Sequence, residues 1–313
     1  MRSELFRVFD GSDLEVSFPA YFVMLLVGFA FATAIAVIQA RRIGENPDVI
    51  VDLALASLLM GVVGGRIFHV LFDGYFMDYV HLCTDPSQVD WQISKARCLS
   101  ERYQGVWDAA RGVCHPSEAD CWAWAKFWAG GLTYYGGLLA ASVTGIYLLR
   151  RDRFPVWKGV DLAALGIPLG LGFGRMGCLL AGCCFGQPTE GTLSLTFPSF
   201  SPASESQFKA GLLDTAASPS LPVLPAQIYE SILSLAVAGI CLFWVQGRKR
   251  YDGQVMVWFL VLYAVGRFGL EFLRADDRGA LLGLSTSQWV GLAVVAFAAW
   301  LHRWRLAATT RPA

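Results

Sequence analysis

The chain has 313 residues, of which 55% are hydrophobic, 13% aromatic and only 16% charged, and its formal net charge is zero. Soluble domains carry about 25% charged residues, so this composition excludes an ordinary soluble globule and indicates a membrane protein. A neutral chain without a basic run mixed with aromatic residues also gives no indication of a nucleic-acid partner.

Several apolar stretches are long enough to form helices that cross a hydrocarbon core of about 30 Å. The first, 17–40, carries no charge and follows a segment of mixed acidic and basic residues. It is therefore predicted to be a retained anchor rather than a secretory leader. Basic residues follow alternate stretches, and the positive-inside rule predicts that these ends are cytoplasmic. The basic positions are Arg41, Arg42, Arg150, Arg151, Arg153, Lys158, Arg248, Lys249, Arg250, Arg303, Arg305 and Arg311.

The predicted fold is an all-α polytopic membrane protein with about seven transmembrane helices, an external N-terminus and a cytoplasmic C-terminus. The spans are expected at 18–40, 49–72, 127–149, 160–181, 223–246, 254–273 and 285–302. Residues 1–313 are expected to form a single integral membrane domain. The polar segments 73–126 and 182–222 are predicted to be two small extracytoplasmic caps.

The cysteines form two sets, apart from Cys241, which lies inside the fifth span and is interpreted as a packing residue. Two disulfides are predicted in segment 73–126, because disulfides persist outside the cytoplasm and zinc-ligand spacing is absent. The three possible pairings stay open among Cys83, Cys98, Cys114 and Cys121. The second set, Cys178, Cys183 and Cys184, flanks the outer end of the fourth span. These thiols are interpreted as packing residues, with a redox dithiol or a covalent carrier thiol as the alternatives.

Three arginines, Arg66, Arg175 and Arg267, fall within predicted spans, where each costs at least about 2.5 to 3.5 kcal/mol. A guanidinium does not deprotonate, so it has to meet a carboxylate, a carbonyl, water or an anionic ligand. Internal salt bridges are one explanation, and the candidate partners are Asp52, Asp161, Glu230 and Glu271. The predicted topology puts these arginines in the outer halves of their spans, which favours a positive pocket for a phosphate.

Three further segments carry polar groups at informative spacings. YAVGRFGLEFLRADDRG begins within the sixth span, and a helix there would stack on one face Tyr263, Arg267, Glu271 and Arg274. A structural ion-pair ladder would have the same spacing. LPAQIYES begins the fifth span, and GGLTYYGG has two glycine pairs around Tyr134 and Tyr135, which allow close backbone approach to a neighbouring helix or to a ligand.

In this order, the segments resemble the bacterial phosphatidylglycerol:prolipoprotein diacylglyceryl transferase family over nearly the whole chain. The likeness includes PAYFVMLLVGF, RRIGENPDVIVDL, GGRIFHVLFD, the glycine pairs at 130–137, GRMG, PAQIYE, the 263–274 ladder and LSTSQW. The resemblance implies an enzyme of the bacterial inner membrane. Such an enzyme transfers the diacylglyceryl group of phosphatidylglycerol to the lipobox cysteine of an exported preprolipoprotein, the first step of lipoprotein maturation.

The resemblance also implies site residues. Catalytic roles are expected for Arg175, Arg267, Glu271 and Tyr135. Substrate-binding roles are expected for Tyr21, Arg66, Gly136, Gly137, Gln227, Tyr229, Glu230, Tyr263 and Arg274. Arg175 and Arg267 would hold the lipid phosphate and stabilise glycerol phosphate as it leaves. The expected partners are phosphatidylglycerol, the lipobox protein and membrane lipids, with no cofactor, metal or nucleic acid.

The chain departs from the family pattern at three positions. Tyr135 stands where histidine is common, Cys178 where asparagine is common, and Cys183 where glutamate is common. The base that deprotonates the substrate thiol is therefore left open between Tyr135, Glu271 and Glu230. Two other function classes stay open at this point: a membrane thiol oxidoreductase built on the cysteines, and a lipid or anion transporter that uses the arginines without catalysis.

Overall fold

The computed structural model describes residues 4–8, 16–93, 95–100, 103–127, 130–215, 217–274 and 280–310. Its α-helices in these ranges are α1 (Ala20–Arg42), α2 (Pro47–Phe72), α3 (Phe76–Thr84), α4 (Lys95–Cys98), α5 (Tyr134–Arg151), α6 (Val156–Ala181), α7 (Pro202–Lys209), α8 (Ala226–Gly239), α9 (Gln254–Leu270) and α10 (Thr286–Thr310). A π-helix (Ile240–Val245) continues α8, and a 3₁₀ turn (Glu271–Leu273) continues α9.

The described ranges also contain 3₁₀ turns at Pro86–Gln88 and Ala123–Ala125 and short antiparallel strand pairs. The strand pairs are β1 (Glu4–Val8) with β2 (Val16–Pro19), β3 (Val106–Asp108) with β4 (Val113–His115), and β5 (Ala280–Leu281) with β6 (Leu284–Ser285). The chain divides into two compact units, which are Met1–Ile50 with Phe154–Ala313 (unit 1) and Val51–Arg153 (unit 2). The expectation of a single membrane domain stays a prediction.

The helices confirm that this is an all-α polytopic membrane protein. Five helices among the described residues are long and apolar enough to cross a bilayer: Ala20–Arg42, Pro47–Phe72, Val156–Ala181, Ala226–Val245 and Gln254–Leu273. The predicted third and seventh spans correspond to α5 and α10, which are not among the five. Both are more polar, since α5 ends in two arginines and α10 contains His302, Arg303 and Arg305. The count of seven spans and the caps stay predictions.

Unit 1 is built around α6. α1 packs along it where Gly28 meets Phe173, and a Cβ on Gly28 would lie 2.6 Å from the Cβ of Phe173. α8 packs on another face of α6, where the Ser231 hydroxyl donates to the carbonyl of Gly172 at 2.9 Å. α9 packs on α6 and α8, and α10 packs on α9. Small residues at these contacts allow the close helix approach that is typical of membrane proteins.

A carboxylate from α6 caps the start of α9. Asp161 is 1% exposed and accepts backbone hydrogen bonds from Gly253, Val255 and Met256 at 3.0, 2.9 and 3.4 Å. Gly253 has no side chain with which to cap its own helix, so Asp161 satisfies N–H groups that the helix leaves unpaired. Lys249 Nζ lies 2.8 Å from Asp161 Oδ2 and balances the buried charge. Asp161 therefore pairs with a lysine and not with an intramembrane arginine.

We expect Asp161→Asn to lower the free energy of unfolding by about 1.5 to 3 kcal/mol, the usual contribution of hydrogen bonds to a charged group. The loss arises because Lys249 keeps a buried charge without its main partner. Asp252→Asn is the matched control, since Asp252 also pairs with Lys249 at 2.9 Å but is 37% exposed. Exposed pairs contribute about 0 to 1 kcal/mol. Thermal unfolding in detergent micelles measures both variants, and equal midpoints would contradict the capping role.

In unit 2, α2 and α5 approach through glycines. A Cβ on Gly136 would clash with Phe68 and with the backbone of Gly64, and a Cβ on Gly137 would lie 2.9 Å from the carbonyl oxygen of Gly61. The helices therefore touch backbone to backbone. The first glycine pair lies before α5, where Gly130 and Gly131 have φ of +100° and +73°. These left-handed conformations suit glycine and delay the helix start to Tyr134, later than the predicted residue 127.

Two disulfides confirm the prediction for the first cysteine set. They join Cys83 to Cys121 and Cys98 to Cys114. Cys83 lies at the end of α3, Cys98 ends α4, and Cys114 lies in β4. The bridges thus tie short elements that have few apolar contacts of their own, which is where cross-links stabilise a fold most.

Candidate active site

A buried carboxylate, Glu230, lies at the centre of the polar site in unit 1. It belongs to the first turns of α8, and its side chain is 3% exposed. Arg175 Nε, from α6, lies 2.5 Å from its Oε2. Arg274 Nη1 donates to its Oε1 at 2.9 Å, and Arg267 Nε lies 3.6 Å from the same oxygen. These four residues and Glu271 form what we call the arginine cluster.

The second carboxylate of the arginine cluster, Glu271, is held from two sides. Arg267 Nη1 lies 2.6 Å from Glu271 Oε2, as expected for residues four apart at the end of a helix. The Ser285 hydroxyl donates to Glu271 Oε1 at 2.8 Å. Gln288 Oε1 in turn accepts the backbone N–H of Ser285 at 2.9 Å. The start of α10 therefore fixes the orientation of the Arg267–Glu271 pair.

Arg274 reaches the arginine cluster by a route that the ladder spacing does not predict. α9 ends at Leu270, and after the 3₁₀ turn Arg274 is extended, with φ −88° and ψ 151°. Its backbone forms an isolated β-bridge with Gly186, and Gln187 N donates to Leu273 O at 3.0 Å. Arg274 is thus not stacked on the helix face with Tyr263 and Arg267. It is placed beside Glu230 by pairing with the segment that follows α6.

Among the described residues, the arginine cluster holds one positive charge in excess, because three guanidinium groups face two carboxylates. Arg274 and Glu230 are each 3% exposed and Arg267 is 13% exposed, so water screens these charges poorly. Within the described residues, Arg267 Nη2 is buried without a hydrogen-bond partner. A desolvated guanidinium with an unused donor attracts an anion, and a phosphate oxygen has the geometry to accept from it.

Other predicted residues lie around the arginine cluster in unit 1. Gln227, fully buried, donates from Nε2 to the carbonyl of Cys183 at 2.7 Å. The backbone of Tyr21 packs against Gly177, where a Cβ would lie 3.2 Å from Tyr21 Cα, and this holds the start of α1 beside the end of α6. Tyr229 and Tyr263 are partly buried on α8 and α9. Their roles in substrate binding stay predictions.

Arg66 belongs to unit 2, where it binds backbone. Its guanidinium donates to the carbonyls of Trp124, Gly130, Gly131 and Ala123 at 2.7, 2.5, 3.0 and 2.6 Å. It also lies 5.1 Å from the ring centre of Tyr79. Arg66 is 6% exposed, and each of its three nitrogens is used in these hydrogen bonds. The structure therefore gives it a role in fixing the segment before α5, and its expected substrate role stays a prediction.

Tyr135, Gly136 and Gly137 also belong to unit 2. Tyr135 is in the first turn of α5, its side chain is 65% exposed, and its ring lies edge-on to that of Tyr134 at 5.6 Å. Gly136 and Gly137 form the contact with α2 described above, so helix packing accounts for them. Their expected contacts with substrate, and the part of Tyr135 in catalysis, stay predictions.

Comparison with known proteins decides the family. A family model described as prolipoprotein diacylglyceryl transferase matches residues 12–96 and 104–304, which include every residue of the arginine cluster. The chain belongs to the prolipoprotein diacylglyceryl transferase family. The resemblance read from the sequence is thereby confirmed.

Similar members of the prolipoprotein diacylglyceryl transferase family come from several bacteria. The chain is 25% identical to phosphatidylglycerol–prolipoprotein diacylglyceryl transferase 2 of Clostridium perfringens, over 92% of this chain and 91% of the relative. It is 25% identical to the corresponding transferase of Clostridium tetani, over 93% of each chain. It is 28% identical to that of Chromohalobacter salexigens, over 90% of this chain and 88% of the relative.

Two contacts of this family member's site were not assigned from sequence. Ser285 and Gln288 support Glu271, although they lie in LSTSQW, a segment that carries the family resemblance. A short polar segment directly before a helix can cap it, as Ser285 Oγ does by accepting from Gln288 N at 3.2 Å. This capping pattern can be recognised in the sequence. It does not indicate that the same hydroxyl also binds a glutamate of another helix.

Proposed function

We propose that this protein transfers the diacylglyceryl group of phosphatidylglycerol to the lipobox cysteine thiol of exported prolipoproteins. The observation that carries the proposal is the arginine cluster: three guanidinium groups, two buried carboxylates and one guanidinium donor that no described residue uses, inside an apolar helix bundle. The names of the similar family members supply the donor lipid and the acceptor class.

The reaction requires stabilisation of a leaving anion. The acceptor thiolate attacks the glyceryl carbon next to the phosphate, a C–S bond forms, and the C–O bond to the phosphate breaks. Glycerol phosphate leaves with that electron pair, so negative charge develops on its phosphate oxygen. Arg175 and Arg267 are assigned to this oxygen and to its neighbours, since preorganised cations in a dry site stabilise such charge without reorganisation.

Glu230 is assigned to positioning the arginines. Both oxygens of Glu230 face guanidinium groups, at 2.5 and 2.9 Å for the shortest contacts, so protonating it would break those ion pairs. It therefore orients arginines rather than accepting the thiol proton. Tyr135 and Glu271 stay the candidates for that proton. The substrate thiol, with an ordinary pKa of about 8.5, ionises more readily near excess positive charge.

We further infer seven spans with the N-terminus outside, the C-terminus in the cytoplasm and the arginine cluster at the outer end. Basic residues lie in the last turns of α1 and α5, at Arg41 and Arg150 among others, and follow the π-helix at Arg248. In unit 1, Glu230 lies at the start of α8 and Arg267 at the end of α9, far along each helix from those basic ends. This orientation would give the arginine cluster access to exported proteins.

We expect the purified protein to add one diacylglyceryl mass to a synthetic lipobox peptide in micelles that contain phosphatidylglycerol. Mass spectrometry of the peptide measures the product, and phosphorus analysis measures the release of glycerol phosphate. A peptide with serine in place of the lipobox cysteine is the acceptor control, and phosphatidylethanolamine is the donor control.

Each outcome bears on one part of the proposal. An adduct only on the cysteine peptide and only with phosphatidylglycerol supports both substrates. Absence of any adduct, with folded protein and an active family member run in parallel, would refute the transferase. An adduct of equal yield from phosphatidylethanolamine would refute the assigned donor. A transporter leaves lipid and peptide chemically unchanged, so a covalent product excludes that class.

A further inference from the structure

Three free thiols meet at the end of α6, beside the arginine cluster. The Sγ atoms of Cys178, Cys183 and Cys184 all lie within 4.8 Å of one another. Cys178 is buried, and the other two are partly buried. We call these three residues the thiol cluster. No step of the proposed transfer reaction uses them.

The local backbone explains why these sulfurs converge. Gly182 ends α6 with φ +75°, Cys183 N donates to Cys178 O at 3.1 Å, and Gly182 N donates to Leu179 O at 3.2 Å. This is a Schellman motif, which brings the second residue after the helix against the residue five positions before it. Here those two residues are both cysteines. Cys184, at φ +61°, then turns its own side chain back to the same place.

The spacing of the thiol cluster suits a soft metal ion. Three thiolates around a metal with metal–sulfur bonds of about 2.3 Å lie about 4 Å apart, so the sulfurs need to move by less than about 1 Å. Within the described part of the chain, no histidine or carboxylate joins the three sulfurs as a fourth ligand. Structural zinc sites are almost always four-coordinate, whereas thiolates alone favour monovalent copper.

The surroundings complement the charge of such a complex. Three thiolates and one monovalent copper ion carry two net negative charges, and among the described residues the guanidinium groups of the arginine cluster outnumber its carboxylates by one. Arg175 lies one helical turn before Cys178. The carbonyl of Cys183 is fixed by Gln227 Nε2 at 2.7 Å, so the segment that carries two of the ligands is anchored to α8.

We propose that Cys178, Cys183 and Cys184 form a three-thiolate site for one monovalent copper ion. Binding releases the thiol protons to solvent and involves no oxidation or reduction. The site is separate from the phosphate-binding arginines, although it shares the segment 182–186 with the bridge to Arg274. Copper binding is therefore expected whether or not the protein is an active transferase.

The test is an anaerobic titration of the purified full-length protein in micelles with monovalent copper, in competition with a chromogenic chelator. Free thiols are counted before the titration. We expect one copper ion per chain and an X-ray absorption spectrum with sulfur as the only ligand. Cys183→Ser should weaken binding by more than about 100-fold, because loss of a direct ligand exceeds the 10- to 100-fold effect of changing a ligand's supporting partner.

Cys241→Ser is the matched control, since Cys241 is a free, buried cysteine of the same unit that lies outside the thiol cluster. It should leave copper affinity unchanged. Thermal midpoints show that each variant is folded, and Cys178→Ser and Cys184→Ser provide independent tests if one variant is not. The proposal is overturned if folded Cys183→Ser binds copper like the parent protein, if only zinc binds, or if the thiol count shows a disulfide within the thiol cluster.

Discussion

Arg267→Ala should lower kcat/KM for diacylglyceryl transfer by about 100- to 1,000-fold, the usual effect of removing one preorganised donor from a developing anion. Arg267 is singled out because its Nη2 is buried and has no hydrogen-bond partner within the described residues. Arg267→Lys should recover only part of the activity, since an ammonium group cannot contact Glu271 and a phosphate oxygen in the bidentate geometry of guanidinium. The peptide assay with phosphatidylglycerol measures the three rates.

The control for this prediction is Arg303→Ala, which removes an exposed arginine from α10 and should leave the rate unchanged. Thermal midpoints separate a loss of catalysis from a loss of fold, because Arg267→Ala also leaves Glu271 without one partner. A folded Arg267→Ala protein whose rate stays within about tenfold of the parent, or about 1.4 kcal/mol, would remove Arg267 from the catalytic machinery.

Glu230→Gln should lower the free energy of unfolding by about 3 to 5 kcal/mol, the range observed when one member of a buried ion pair is removed. The substitution keeps the side-chain size but leaves three guanidinium groups around a neutral amide, at a site where Glu230 is 3% exposed. Thermal unfolding in micelles measures the effect. The double variant Glu230→Gln with Arg274→Met should regain part of the loss, because it buries one cation fewer.

Glu190→Gln is the control, since Glu190 is exposed in the loop after α6 and should be neutral. If Glu230→Gln unfolds at the parent midpoint, the ion pairs to Arg175 and Arg274 do not stabilise the fold. If the double variant is less stable than Glu230→Gln alone, Arg274 has a stabilising role that does not depend on the carboxylate.

The sequence predicted the members of the arginine cluster better than their pairing. The energetic cost of an intramembrane cation was enough to single out Arg175 and Arg267, and the i, i+4 spacing was enough to pair Arg267 with Glu271. None of the arginines that contact Glu230 lies on its own helix, so local spacing carries no information about these contacts. Arg274 does not lie where the helical spacing predicts, because its position depends on a β-bridge to Gly186 rather than on the helix period.

Arg66 shows that the free-energy cost of a charge in the membrane does not by itself identify the partner of that charge. A buried guanidinium needs partners, but backbone carbonyls serve as well as a phosphate, and here four of them come from a segment about 60 residues away in sequence. For the disulfides, too, the sequence predicted the residues but not their partners. Compartment and loop length predicted that Cys83 and Cys98 would be cross-linked, but the choice of Cys121 and Cys114 depends on how α3 and the β3–β4 pair fold together.

The glycine contact between α2 and α5 also restricts how the protein can move. At Gly61, Gly64 and Gly136 the backbones of the two helices approach closely, so a larger side chain at these positions would force the helices apart. The two helices are therefore expected to move as one rigid unit during turnover. We therefore expect any motion that admits a lipid with two acyl chains to occur at helix pairs that are separated by larger side chains.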